Sequence, residues 1–368
     1  MSPGEIEVQA EDLRHFCRRV FESLDVPAED AAITAEVLVA ADLRGVDSHG
    51  VVRLRRYVDG LRNGIMLAHP KVEVVRETAA TALLDGGGGL GQPIGARAMR
   101  LAMDKAQGVG AGFVAVRNSN HYGIAGYYAM MALEQDLIGL SMTNASPLVV
   151  PTFGRDAILG TNPLSLAAPA NQERPFVLDM ATSVVPVGKL ELYHLLGKPI
   201  PKGWATDEKG LATTDPGLAV RNVRQRLGGG LLPLGGEGEE LGGHKGYGLA
   251  LMVDILCGVL SGAGFADRLP DWGQRGRKDP DNLGHFFGAL RVEAFRPLEE
   301  FKADMDEIIR RLKGSPKAQG QSRIYIHGEK EWEMAEKRGR EGIPLPAPVV
   351  ESLEKVGQEV GVKSLWTS

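Results

Sequence analysis

The segment Arg44-Gly45-Val46-Asp47-Ser48-His49-Gly50-Val51-Val52-Arg53 sets an imidazole four residues ahead of a guanidinium. With Asp47 or Ser48 as N-cap, His49 falls in the first turn of a helix expected from about Gly50 to Arg62. Arg53 then lies one turn along on the same face. The positive end of the helix dipole disfavours imidazolium and keeps a neutral base available. A guanidinium grips a carboxylate through two parallel hydrogen bonds. Together the two groups suit proton transfer on a small 2-hydroxy or 2-oxo acid. An ordinary capped surface helix has the same spacing, and spacing alone does not choose.

Four further segments carry candidate groups. Arg117-Asn118-Ser119-Asn120-His121-Tyr122-Gly123 follows an expected strand and precedes an expected helix, which places His121 at a strand-end turn. Ligand sites of α/β folds favour such places, and a histidine there is a candidate general acid or base. Leu159-Gly160-Thr161-Asn162-Pro163-Leu164 and Leu178-Asp179-Met180-Ala181-Thr182-Ser183 mix small polar and apolar residues at strand ends. They read equally as ligand-binding loops or as turns. Gly242-Gly243-His244-Lys245-Gly246-Tyr247-Gly248 opens an apolar helix. It offers free amides and a lysine to a phosphate, without P-loop spacing.

The run Gly86-Gly87-Gly88-Gly89-Leu90-Gly91 satisfies G-x-G-x-x-G between an expected strand and helix. The acid that should end a second strand about 20 residues later is missing, because Asp104 falls inside the helix. No His, Asp, Glu or Cys cluster has metal-ligand spacing, so no metal is expected.

These segments sit on a regular alternation. Helices are expected over Val8–Leu24, from Pro27 through Ala41, and over 50–62; strands follow at 72–76 and 81–85. A helix at 92–108, a strand at 112–117, a helix at 123–135 and a strand at 137–143 continue the pattern. Further strands are expected at 164–168, 176–179 and near Leu290–Val292, with a helix at 247–260 and a polar loop at 267–284. After Pro297 come helices at 298–312 and 329–340, with an extended stretch at 322–326. The middle is a mixed α/β sheet and both outer parts are helical.

Composition narrows the class. The 368 residues allow about two domains, and 43% hydrophobic with 24% charged residues is an ordinary globular balance. A net charge of −5 gives no footprint for nucleic acid. No apolar run is long enough to span a membrane, and Met1-Ser2-Pro3-Gly4-Glu5 does not read as a secretory signal. Cys17 and Cys257 stand alone, so no disulfide framework is expected and the cytoplasm is the default location.

Taken in order, the five segments resemble the type 2 malate/L-lactate dehydrogenase family, which includes ureidoglycolate, sulfolactate, diketogulonate and piperideine-2-carboxylate enzymes. The resemblance covers roughly residues 10–345 and rests on Arg44–Arg53, Ser119–Gly123, Gly160–Pro163, Asp179–Ser183 and Gly243–Gly248. It implies an α/β fold: a mixed-sheet, non-Rossmann NAD(P)-binding domain flanked by a helical domain built from both chain ends. The corresponding boundaries are 1–70, 71–297 and 298–368. It removes the glycine run 86–91 as a cofactor fingerprint. It implies reversible hydride transfer between C2 of a 2-hydroxy acid, malate or L-lactate first, and NAD or NADP, usually in a homodimer.

By motif, His121 or His49 transfers the proton, and which one stays open. Arg53 takes the substrate carboxylate, with Ser48, Thr161 and Asn162 as further substrate contacts. Asp179, Met180, Ala181, His244, Lys245, Gly328 and Glu329 take the cofactor. Asn144, Ala145 and Ser146 fall in a variable segment; Ala145 stands where ureidoglycolate dehydrogenase has serine. A metal-dependent hydrolase or lyase using His49, His121 and Asp179, and a non-catalytic nucleotide-binding protein, are the rival classes.

Overall fold

The computed structural model describes residues 5–270, 280–363 and 365. The chain begins with β1 (Glu5–Val8), α1 (Ala10–Glu22), α2 (Ala28–Leu43), two 3₁₀ turns (Asp47–His49 and Val51–Arg53) and α3 (Leu54–Arg62). Next come β2 (Glu73–Glu77), β3 (Thr81–Asp85), α4 (Gly91–Val109), β4 (Ala111–Ser119), α5 (Ala125–Met131), β5 (Leu137–Thr143), β6 (Leu164–Ala168) and β7 (Phe176–Met180). The chain continues through α6 (Val187–Leu195), β8 (Ala205–Thr206), β9 (Ala212–Thr213), α7 (Pro216–Gln225) and α8 (Gly243–Asp254). It closes with β10 (Leu283–Arg291), α9 (Leu298–Gly314), α10 (Glu329–Glu341), β11 (Ile343–Pro346) and α11 (Ala347–Val360).

Seven strands form the expected mixed sheet in the order β2-β3-β4-β10-β5-β6-β7. Only β3 and β4 run parallel; the other neighbours are antiparallel. β10 lies centrally, with His285, Phe287 and Ala289 fully buried on one face, as a period of two requires.

This strand is longer than the expected one near Leu290–Val292, and residues 283 and 284 are strand rather than loop. Glycines disguise it. A Cβ on Gly284 would lie 1.7 Å from the Cys257 carbonyl oxygen, and one on Gly288 3.0 Å from the Phe113 ring. They are there for close packing, not for a turn. The middle of the expected loop, 271–279, lies outside the described residues.

α1 presents Leu13, Phe16, Cys17, Val20 and Phe21 at helical spacing, and all five are buried. They share a core with Leu38, Leu54 and Tyr57 and, from the other end of the chain, Ile343, Leu345, Leu353 and Val356. β1 pairs with β11, which ties the two ends together. α9 attaches differently: its Asp306 carboxylate accepts from the amides of Asn171, Gln172 and Glu173 beside the sheet. Sequence periodicity assigns nothing to α6, α7 or α11. The first two gather around Leu190, Ala219 and Leu231 in a separate small core.

Candidate active site

His49 and Arg53 sit on two successive 3₁₀ turns, and the α-helix starts only at Leu54. This corrects the expected start at Gly50 and the expected side-chain cap, since neither turn has one. The cause lies in α2. The buried Asp42 carboxylate accepts the Val51 amide at 2.8 Å. A Cβ on Gly50 would stand 1.8 Å from Asp42 Oδ1, so only glycine lets the turn close over the acid. Arg338 of α10 braces the same turn by donating to the Asp42 carbonyl and the Asp47 carboxylate. Arg53 Nε donates to the Ser48 carbonyl at 2.6 Å, and Ser48 Oγ contacts His49 Nδ1 at 2.9 Å.

His121 arrives from the end of β4. Its Nδ1 contacts the Tyr57 hydroxyl at 2.6 Å. Tyr57 is fully buried and Gln92 lies beside its phenol. The rings of His49 and His121 stack with centroids 5.6 Å apart and planes 19° from parallel. Tyr57 was not singled out in the sequence, although it stands four residues after Arg53 and so shares its helical face. Behind this pair, the buried His285 bridges Ser119 Oγ at 2.8 Å and Thr143 Oγ1 at 2.7 Å, joining β4 to β5 through β10.

Two cavities meet at His49. The smaller, of about 180 Å³, is lined by His49, His121, Arg53, Arg56, Thr161 and the 144–146 segment, among others. The larger, of about 500 Å³, runs past Asp179, Met180 and Ala181 to Arg44, Tyr325, Gly328 and Lys330. Ser48, His49, Gly123, Thr161, Pro163 and Pro186 belong to both walls.

Not every expected residue is at these walls. Asn162 lines neither cavity: its side chain accepts the Ala145 amide and donates to the Ala250 carbonyl, which makes it a brace for the loops. Glu329 turns away from Gly328 into Arg323 and Lys313. His244 and Lys245 are exposed at the start of α8 and line neither cavity. The segment 234–238 covers that helix start, since Cβ atoms on Gly243 and Gly246 would meet the Gly236 and Leu234 carbonyls at 2.0 and 2.1 Å. Arg44, Asp42, Arg56 and Tyr325 were missed because their roles depend on distant chain segments.

The glycine run 86–91 is filled by protein. Asn120 Nδ2 donates to the Gly88 and Gly89 carbonyls, and a Cβ on Gly91 would lie 2.2 Å from the Asn120 carbonyl oxygen. These glycines hold the β3–α4 turn against the loop that carries His121.

The electrostatics follow from burial. Desolvation, then Arg53 and Arg56, push the His49 imidazole down to about 4. Desolvation, then Arg56, hold His121 well below the ordinary histidine range. Both rings are therefore neutral near pH 7. Asp179 is open to the larger cavity yet surrounded by protein. Desolvation pushes its carboxyl up to about 6, against the Gly126 amide that donates to it and the Arg44 charge.

A neutral histidine pair and Arg53 face a small cavity with a long cavity adjoining it, on a mixed α/β sheet; the family and relatives of the chain define its class, a hydroxyacid dehydrogenase acting on CH–OH donors. The chain belongs to the malate/L-lactate dehydrogenase family, whose description matches residues 8–354. It is 51% identical over 361 residues to a malate dehydrogenase of Pyrococcus abyssi, covering 98% of this chain and 96% of that one. The solved malate dehydrogenase of Pyrococcus horikoshii superposes with a TM-score of 0.89 at 49% identity, covering 99% and 98% of the two chains. The sulfolactate dehydrogenase of Methanocaldococcus jannaschii gives 0.88 at 38% identity, covering 97% and 98%. Family membership sets aside the metal-dependent and non-catalytic alternatives.

Proposed function

We propose that the protein interconverts malate and its 2-oxo acid, with NAD or NADP as hydride partner, in the small cavity beside His49 and His121. The observation that carries this reading is the shared wall of the two cavities. A substrate held by Arg53 and a nicotinamide entering from the 179–181 side would meet at Ser48, His49 and Thr161.

The residues of the larger cavity fit such a cofactor. Its volume is in the range of small-molecule and cofactor sites. Arg44 and Lys330 offer cations to a pyrophosphate, and Asp179 offers an acceptor to hydroxyl or amide groups. The packed glycine run 86–91 supports binding outside a Rossmann cradle. When bound, the nicotinamide supplies or takes up the hydride at C2.

The protein's own part is position and proton transfer. Arg53 holds the substrate carboxylate, and the anion offsets the guanidinium charge that, after burial, lowers His49 and His121. With Nδ1–H donated to the Tyr57 oxygen, a tautomer that gives up the long 3.4 Å contact from the Gly123 amide, His121 keeps Nε2 as the base that takes the hydroxyl proton. His49, oriented by Ser48, then donates or accepts one hydrogen bond at the same oxygen. Thr161 adds a hydroxyl to the wall.

The reading extends to a cytoplasmic homodimer. Leu251, Ile255 and Val259 form an exposed apolar stripe on α8 and the π-helical turn after it, which suits a second copy. The unpaired, buried Cys17 and Cys257 suit a reducing compartment. The helical unit of both chain ends (1–70 with 298–368) and the α/β unit (71–297) remain our division of the chain. The test is the change in nicotinamide absorbance with a panel of 2-oxo acids, each with NADH and with NADPH. Oxaloacetate is expected to lead; a protein that oxidises neither cofactor with any of them refutes the function.

A further inference from the structure

The second residue of α4, Gln92, is fully buried, and neither atom of its side-chain amide has a hydrogen-bond partner among the described residues. An amide left unpaired in a core is costly, so one that is retained asks for a role. The glycine run fixes its place. A Cβ on Gly91 would lie 2.2 Å from the Asn120 carbonyl oxygen and 2.6 Å from that of His121, so the start of α4 is seated on the loop that carries the histidine. Leu90, just before it, packs in the same core as Tyr57. Gln92 thereby stands beside the Tyr57 phenol, whose oxygen is 2.6 Å from His121 Nδ1.

The contact between phenol and imidazole can be made in two ways. If the phenol donates, Nδ1 is bare, and Nε2 carries the proton of the neutral ring and is no base. The Gly123 amide, 3.4 Å from Nδ1, favours the same arrangement. If Nδ1–H donates instead, Nε2 is free, but the hydrogen of the phenol then needs an acceptor. Arg53 and Arg56, the charged groups that act on the phenol, can only donate. The amide oxygen of Gln92 can accept, and the network around a buried amide decides which of its ends faces a partner.

Resting on the dehydrogenase reading above, we propose that Gln92 accepts a hydrogen bond from the Tyr57 hydroxyl and so holds His121 in the Nδ1–H tautomer, with Nε2 free. Gln92 lines neither cavity, so it is a positioning residue that acts only through Tyr57. The glycine run then serves the reaction without binding a nucleotide, because it seats the amide that sets the base.

The test reads the His121 tautomer from the nitrogen NMR shifts of histidine-labelled full-length protein, the ring being assigned by its loss in His121→Ala. Wild type is expected to carry the proton on Nδ1, and Gln92→Met to move it largely to Nε2. Gln92→Glu keeps an acceptor oxygen and should retain the wild-type tautomer. In Gln92→Met, kcat for malate oxidation is expected to fall about tenfold with the KM for malate unchanged, close to one hydrogen bond's worth. Its Tm should hold or rise, since an apolar side chain of similar size replaces an unpaired amide. In a Tyr57→Phe background Gln92→Met should cost nothing further.

A proton on Nε2 in wild type overturns the assignment with no variant needed. So does an unchanged tautomer in Gln92→Met, or an equal loss of kcat in the Tyr57→Phe background. A lower Tm with an unchanged kcat would leave Gln92 a core residue only. A wild type inactive on every 2-oxo acid refutes the function; an active wild type with any of these contrary results refutes Gln92 alone.

Discussion

His49 and His121 reach one cavity from two differently built regions. His121 stands in the loop just past the end of β4, with Tyr57 on its Nδ1 and the Ser119–His285–Thr143 bridge of the sheet behind it. His49 rides a 3₁₀ turn whose shape depends on Asp42 from α2 and Arg338 from α10. Its ring partner, Ser48 Oγ, is itself exposed. The sheet side fixes one ring nitrogen by a buried phenol. The helical side fixes a whole turn by long-range braces and leaves the ring less constrained. On the proposed mechanism the better-fixed ring is the one expected to accept the proton, since a fixed ring keeps its free nitrogen in one orientation through turnover.

The strongest challenge to this contrast is removal of each ring in turn. His121→Ala is expected to lower kcat by about 10²–10⁴-fold, the usual contribution of a positioned acid or base, and His49→Ala by less. Steady-state kinetics on folded protein decides, and the reverse order would exchange their roles. Gly50→Ala comes next, because its Cβ cannot coexist with Asp42 Oδ1 at 1.8 Å. It should disturb His49 and Arg53 together, with both a lower kcat and a higher KM for the acid. A KM that stays normal would mean the turn can shift without cost.

Tyr57→Phe should cost about tenfold in kcat, close to one hydrogen bond's worth, while substrate KM changes little. A loss as large as that of His121→Ala would instead make the phenol a direct participant.

The smallest effects are in pH. Because His49 is depressed to about 4 and His121 is also lowered, kcat/KM for oxidation of the hydroxy acid should stay flat from about pH 8 down to about pH 5 and fall only below it. A midpoint near the ordinary histidine value would show that neither burial nor the arginines depress the working ring in the free enzyme. Desolvation pushes the Asp42 carboxyl up to about 7 despite the Val51 amide, with Asp47 raising it and Arg338 lowering it. Folding thus favours its protonated form, so its contribution to stability is present at low pH and lost as pH rises through about 7. Asp42→Asn should flatten that part of the Tm profile, and an unaltered profile would remove Asp42 as its source.

Much of the sheet was legible in the sequence. Thr81–Asp85, Leu137–Thr143 and Leu164–Ala168 form as expected, because short apolar runs bounded by turns have few other ways to bury themselves. β10 was nearly invisible, since Gly284 and Gly288 read as breakers until the π-helical turn and Phe113 are seen against them. The site was legible as a set of residues and not as a geometry. His49, Arg53, His121, Thr161 and Asp179 do line the paired cavities, whereas Asn162, Glu329, His244 and Lys245 do not.

The glycine run 86–91 teaches the same lesson in reverse. A dinucleotide cradle and a tightly packed turn both demand glycine, and contacts with Asn120, Lys71 and Pro70 mark this run as the second.

By itself the sequence determined which side chains could do chemistry, the alternation that builds a mixed sheet, and the motif order that marks the family. Those properties are local or nearly so: side-chain type, periodicity and turn residues act over a few positions. Tertiary structure alone decided that His121 leans on Tyr57, that the turn of His49 folds over Asp42, and that Glu191 and Arg224 line the same cavity as Arg53. Each of these joins elements far apart in the chain. Their pairing follows from how the cores close, which no short window of residues contains.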